Sequence, residues 1–346
     1  SIASSKPSEI VGKEGINAAD MAIAAARAKR DAIVAPYYEQ AGKVTLGADV
    51  VTEISKDPLV ARAAKRVGND PVYQRKLQGM APDSVAYWQQ VKRNLDAGAS
   101  KAQTAGDKTA GREYIDAAKQ LNEKLAAASS EYAQANAFYA KTTKDIIEPL
   151  ENSVVGVIAK IKDPNAAKVA AKIFSDPNIS LQELSNARAT ISKQNPEAWN
   201  GLVRQWMSQK LNAAMKETQT ASTVNAAGKF RQSVFGTPAD KQRAAIMLPS
   251  GAVKDFEDLM YAAEKLASTP IAGSNTMRDT EIKDQLKGTG AVIFKWLTSP
   301  RKAVTEAAEQ RALEQGTVAI TEAFIDPAKR RQLRTVVKMA PSARQA

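Results

Sequence analysis

The chain has 346 residues, with 49 Lys+Arg against 37 Asp+Glu, a net charge of +12, and neither histidine nor cysteine. Lacking imidazole and thiol, it cannot build Ser-His or Cys-His nucleophile systems, Cys/His zinc sites, His-ligated haem or disulfides. Hydrophobic residues at 44% and charged residues at 25% are ordinary for a folded chain, which argues against wholesale disorder.

Aromatics make up only 5% of the residues while alanine is abundant. Small side chains let helices approach closely but bury little area each. The expectation is therefore an all-α chain, an elongated multi-helix bundle with thin cores and no significant sheet. The positive field suits polyanions such as nucleic acid, phospholipid headgroups or an acidic protein surface. No apolar run approaches the ~20 residues that span a bilayer. A start at Ser1 rather than Met is what a processed chain, or a fragment of a longer one, would show.

Taken in chain order, residues 18–28 are helix-prone with little that could form a core. Helix starts then recur in one pattern, a capping residue followed by proline: Asp57-Pro58, Asp70-Pro71, Asp163-Pro164, Asp176-Pro177, Asn195-Pro196, Thr237-Pro238, Ser299-Pro300 and Asp326-Pro327. The side-chain oxygen accepts from an orphan backbone N–H, and proline at the first helical position has no N–H to lose. Val67-Gly68 and Ala97-Gly98 read as stops. Val85, Trp88, Val91 and Leu95 share one helical face and predict a core anchor. Residues 97–111, rich in Gly, Ala, Ser and Thr, predict a flexible connector, as do residues 218–228 and 269–276.

Residues 112–147 predict one long helix. Tyr114, Ala118, Leu121, Leu125, Ala128, Tyr132, Ala135, Tyr139, Thr142 and Ile146 alternate at spacings of four and three, a seam suited to an antiparallel partner helix. Val154, Val155, Val157 and Ile158 fall in a helical rhythm rather than a strand. Ser180 with Glu183 spells a capping box. Trp199, Leu202, Val203 and Trp206 form a second core-facing stripe. These signals divide the chain into an N-terminal helical region (1–97), a long-helix bundle (98–220) and a C-terminal helical region with a basic end (221–346).

Few residues carry recognisable chemistry. Lys329, Arg330, Arg331, Arg334 and Lys338 lie on the helix that Pro327 would start, with Arg330, Arg334 and Lys338 in one stripe, a candidate contact for phosphates or anionic lipid. Phe294 and Trp296, beside Lys295, are the candidate membrane-interface residues. The one catalytic route worth naming is a lone glutamate acid of the muralytic type, for which Glu148 or Glu151 would need an apolar cleft and a raised pKa. A surface role is the commoner fate of such glutamates, so no enzyme is expected. No P-loop, dinucleotide turn or acidic metal loop appears, so no cofactor or metal is expected either.

Several segments stand in a suggestive order: IVAPYYEQAG (33–42), SKDPLVARAAKRV (55–67) and DSVAYWQQVKRNLD (83–96), then a helix carrying Tyr132 and Tyr139. KFRQSVFGTPADKQRAAIMLP (229–249) and AGSNTMRD (272–279) follow. The series resembles the internal virion, or ejection, proteins of short-tailed bacteriophages and related prophage polyvalent proteins. The resemblance implies a protein that travels inside the capsid and helps build a conduit for DNA across the host envelope. Its implied partners are copies of itself, sister ejection proteins, double-stranded DNA and the host envelope membrane. Two alternatives stay open, a helical non-specific DNA-binding or packaging protein and a peripheral membrane scaffold.

Overall fold

A computed structural model describes residues 7–77, 80–220, 226–258 and 261. The described residues are helical throughout apart from short connectors. Their sole extended pairing is an isolated bridge between Thr45 and Ser84. The all-α expectation holds. The chain divides into two compact units: Ala24–Pro149, called the central unit below, and Ser1–Ile23 together with Leu150–Ala346, called the flanking unit.

The first helix, α1 (Pro7–Gly42), contributes to both. In the central unit it is followed by α2 (Ala48–Ile54), α3 (Pro58–Asn69), α4 (Pro71–Lys76), α5 (Val85–Thr104), α6 (Lys108–Ala128) and α7 (Ser130–Thr142). The capping pattern works as written at Asp57, which accepts from Leu59 N and Val60 N, and at Asp70, which accepts from Val72 N. Helices α5 and α6 form the principal packed pair, and α3 lies against α5. Val85, Trp88, Val91 and Leu95 are buried against Ala118, Leu121 and Leu125.

Two expectations fail here, for local reasons. Residues 97–111 are no flexible connector: α5 runs on to Thr104 and only residues 105–107 turn, with Gly106 at φ 83°. Gly98 is not a stop either. It lies within α5, and a Cβ there would press into the Tyr114 ring of α6, so its missing side chain serves close packing of the pair.

The long helix is also interrupted. Ser129 leaves helical geometry at φ −140°, ψ 114°, and caps α7 by accepting from Tyr132 N at 3.1 Å. The Tyr132 hydroxyl donates to Asn122 Oδ1 at 3.0 Å. In a continuous helix those residues would sit about 15 Å apart along the axis, so α7 bends back onto α6. Beyond α7 the chain widens into one turn of π-helix, α8 (Thr143–Ile147). Its i→i+5 bonding absorbs an extra residue, and the apolar phase slips by one: Ile147 is buried after Thr142, where the seam had placed Ile146.

In the flanking unit the elements after a four-residue turn of helix, α9 (Glu148–Glu151), are α10 (Val154–Ala159), α11 (Ala166–Phe174), α12 (Leu181–Gln194), α13 (Pro196–Thr220), α14 (Ala226–Phe235) and α15 (Pro238–Met247). Both capping boxes form, at Ser180–Glu183 and Thr237–Asp240. Asp163-Pro164 and Asp176-Pro177 do not start helices. Each Asp accepts instead from the amide two residues on, at 3.0 and 2.9 Å, and the helices begin at the next capping residues, Asn165 and Ser180. The core gathers Phe174, Trp199, Trp206, Phe230, Phe235 and Phe256. Helix α1 joins it through Ala18, Ala19 and Ala22, so the first part of the stretch 18–28 does contribute to a core, while most of residues 24–28 are exposed. Closeness explains how alanine suffices: a Cβ on Gly12 would collide with the Pro164 carbonyl, and one on Gly15 with Leu202.

Candidate functional site

The central unit holds a groove of about 1690 Å³, walled by the 30–42 stretch of α1 with Lys43 just beyond it, and by α5, α6 and α7. Where the wall passes from α1 to α5, the chain is fixed by Leu46 N donating to Asp83 O (2.8 Å) and Val85 N to Val44 O (2.9 Å). The buried Ala118 and Tyr132 reach its floor.

A polar network crosses this floor. Tyr38 Oη donates to Asn136 Oδ1 at 2.7 Å, and Asn136 Nδ2 donates to Asn122 Oδ1 at 3.2 Å. Since Tyr132 Oη donates to that same Asn122 oxygen, both its lone pairs are used, and the Asn122 amide nitrogen keeps its donors for something else. Burial pushes the Tyr38 phenol up to about 12, assisted by Tyr139 and opposed by Arg93 and Arg30. Burial likewise raises Tyr132, with Tyr38 beside it. Both phenols are therefore neutral hydrogen-bonding groups near pH 7 and no use as general bases.

The cations of the groove fall into two kinds. Arg30, whose side chain is 12% exposed, is locked: it pairs with Asp31 at 2.8 Å, donates to Thr143 Oγ1 at 3.4 Å in the π-turn, and lies over the Tyr139 ring at 4.3 Å. Lys92 pairs with Asp96 at 2.8 Å, and Lys119 approaches Glu123 at 4.0 Å. Lys43 and Arg93, by contrast, are exposed and have no ion pair among the described residues. Beside them stand apolar groups that helix packing leaves open: Met80 and Ile115 are each 44% exposed and Tyr139 37%. Among the described residues lining the groove no nucleophile is paired with a base.

The residues singled out from the sequence do not meet here. Lys329, Arg330, Arg331, Arg334 and Lys338, together with Phe294 and Trp296, lie outside the described residues. Glu148 is exposed at the start of α9, not in an apolar cleft. Among the described residues no group of three or more acidic side chains is placed to hold a metal ion, and no helix is long and apolar enough to cross a membrane. The groove escaped sequence reading because its parts are scattered over about a hundred positions. One signal was available: Asn122 stands directly beside Leu121, at the edge of an otherwise apolar stripe.

Comparison with protein-family models, with curated proteins and with solved structures finds no match to this chain.

Proposed function

We propose that this chain is a bacteriophage ejection protein, or a large part of one, which leaves the capsid and assembles into a conduit for DNA across the host cell envelope. The observation that carries the reading is the ordered series of ejection-protein-like segments. Its support in the fold is that four of them converge. The 33–42 segment ends α1, 55–67 spans α3, 83–96 opens α5, and Tyr132 and Tyr139 lie on α7, all within the central unit. Segments that share a core are constrained to pack against one another. In this reading copies of the chain and sister ejection proteins are the partners, and a net charge of +12 offers positive surface to duplex DNA. Conduction asks for phosphate contacts, which position a duplex without reading its sequence.

The chain would act without catalysis of its own. It would travel inside the virion and then reside in the host envelope. Alanine-rich helix contacts and the absence of disulfides suit a protein that must pass a narrow tail. The test is sedimentation and electron microscopy of the purified chain, with and without duplex DNA, across a salt series. Rings or tubes whose DNA binding falls steeply with salt are expected. A monomer indifferent to DNA at low salt would overturn the proposal.

A further inference from the structure

The groove of the central unit has features that neither its helix packing nor DNA delivery uses. At about 1690 Å³ it exceeds the ~300–1,000 Å³ of small-molecule pockets, so a stretch of polymer fits it better than a metabolite. Met80, Ile115 and Tyr139 expose apolar surface along it. Together with arginine, tyrosine and methionine are the side chains over-represented in protein interfaces. Of the carboxylates lining it, Asp31 and Asp96 are already paired, leaving Glu39 against the two open cations Lys43 and Arg93. The surplus is positive.

Nucleic acid is the poorer match. Binding a single strand calls for open aromatic faces, whereas Arg30 covers one face of Tyr139 and the Tyr38 ring packs edge-on against Tyr132 and Tyr139. We infer that this groove docks an acidic amphipathic helix of another polypeptide, its apolar stripe on Met80, Ile115 and Tyr139 and its carboxylates at Lys43 and Arg93. Anchors of this kind at i, i+3, i+4 and i+7 are the usual grip of a helix in a groove, and complementary charge sets its orientation and speeds encounter. The inference goes beyond the DNA-delivery reading and does not depend on it.

The experiment uses the full chain and two fluorescein-labelled helical peptides of about 14 residues, ~20 Å long. They share a leucine stripe and carry either glutamates or lysines elsewhere. An oligothymidylate is the third probe, and all are followed by fluorescence anisotropy. The glutamate peptide binds, and its lysine twin binds at least about tenfold more weakly. Arg93→Glu with Lys43→Glu, and separately Ile115→Asp, each weaken the glutamate peptide by about tenfold with an unchanged circular dichroism spectrum. These positions are exposed, and the milder Arg93→Ala serves if a charge reversal disturbs folding. Failure of the glutamate peptide to bind, equal binding of the twins, or indifference to the variants would each overturn the inference. So would tighter binding of the oligothymidylate with the same dependence on Lys43 and Arg93, which would give the groove to nucleic acid.

Discussion

The two units use the same helix-starting signals yet place some of their cations differently. In the flanking unit two arginines are internal ties, while Arg204 pairs with Glu197 at the surface. Arg188 donates to the carbonyls of Ile246 (2.6 Å) and Leu248 (3.2 Å), and Arg243 to those of Ile179 (2.7 Å) and Asp176 (2.8 Å). Both closely packed tryptophans are satisfied too, Trp199 by Met247 O at 3.1 Å and Trp206 by Ser175 Oγ at 3.0 Å. In the central unit the buried Trp88 Nε1 has no partner, while Lys43 and Arg93 stand open to solvent. Arg188 and Arg243 of the flanking unit close loop carbonyls, whereas Lys43 and Arg93 of the central unit remain open at the groove. A count of positive charges is thus an upper bound on the cationic surface open to a ligand.

The sharpest way to break this comparison is through the cores. Phe230→Ala in the flanking unit is expected to cost about 3–5 kcal/mol, and Leu125→Ala in the central unit about 2–5 kcal/mol. Both side chains are fully buried, and urea denaturation reads both losses. Should Leu125→Ala cost well under 1 kcal/mol, the α5–α6 pair is not the packed core described above.

The arginines provide the next test. Arg188→Ala orphans two carbonyls and is expected to cost about 1.5–3 kcal/mol. Arg93→Ala changes stability by no more than about 0.5 kcal/mol, as at other exposed sites. Equal losses in urea would erase the distinction between tie and open cation.

Tryptophan gives a smaller contrast. Trp199→Phe strands the Met247 carbonyl, and Trp88→Phe removes an N–H that had no partner. The first is expected to cost more than the second by about 1–2 kcal/mol, a difference measurable as a shift in denaturation midpoint.

The mildest test is alkaline pH. Tyr38 has its folded pKa raised to about 12 from 10.0, so between those values the folded chain holds a proton that the unfolded chain has released. Its contribution is complete below pH 10 and is lost as pH rises towards 12. Tyr132 acts in the same direction. Phenolate absorbance should show three lagging tyrosines, Tyr38 and Tyr132 at the groove floor and Tyr87, which burial also raises; Tyr38→Phe and Tyr132→Phe should each remove one. Titration of every tyrosine near pH 10, with the fold intact, would mean the groove floor is open to water.

Much of the local structure was legible in the sequence. Asp57-Pro58, Asp70-Pro71, Asn195-Pro196 and Thr237-Pro238 start helices as read, because cap and proline act within a single turn. The stripes through Trp88 and Trp199 are buried as read, because a 3.6-residue period needs only one helix to express it. The candidate site was not legible. Asn122, Asn136, Tyr38 and Tyr132 meet only after α7 folds back on α6, and that reversal depends on one serine whose capping role is invisible inside an unbroken periodic pattern.

By itself, the sequence determined the all-α class, several helix starts, the apolar faces and the absence of imidazole and thiol chemistry, since each follows from residue identity or from contacts a few positions apart. Tertiary structure alone decided that Gly98 is a packing contact, that the seam breaks at Ser129 and slips phase at Thr143–Ile147, and which cations are tied down. Those outcomes depend on what a distant helix places opposite a residue, and no local pattern in the chain records that.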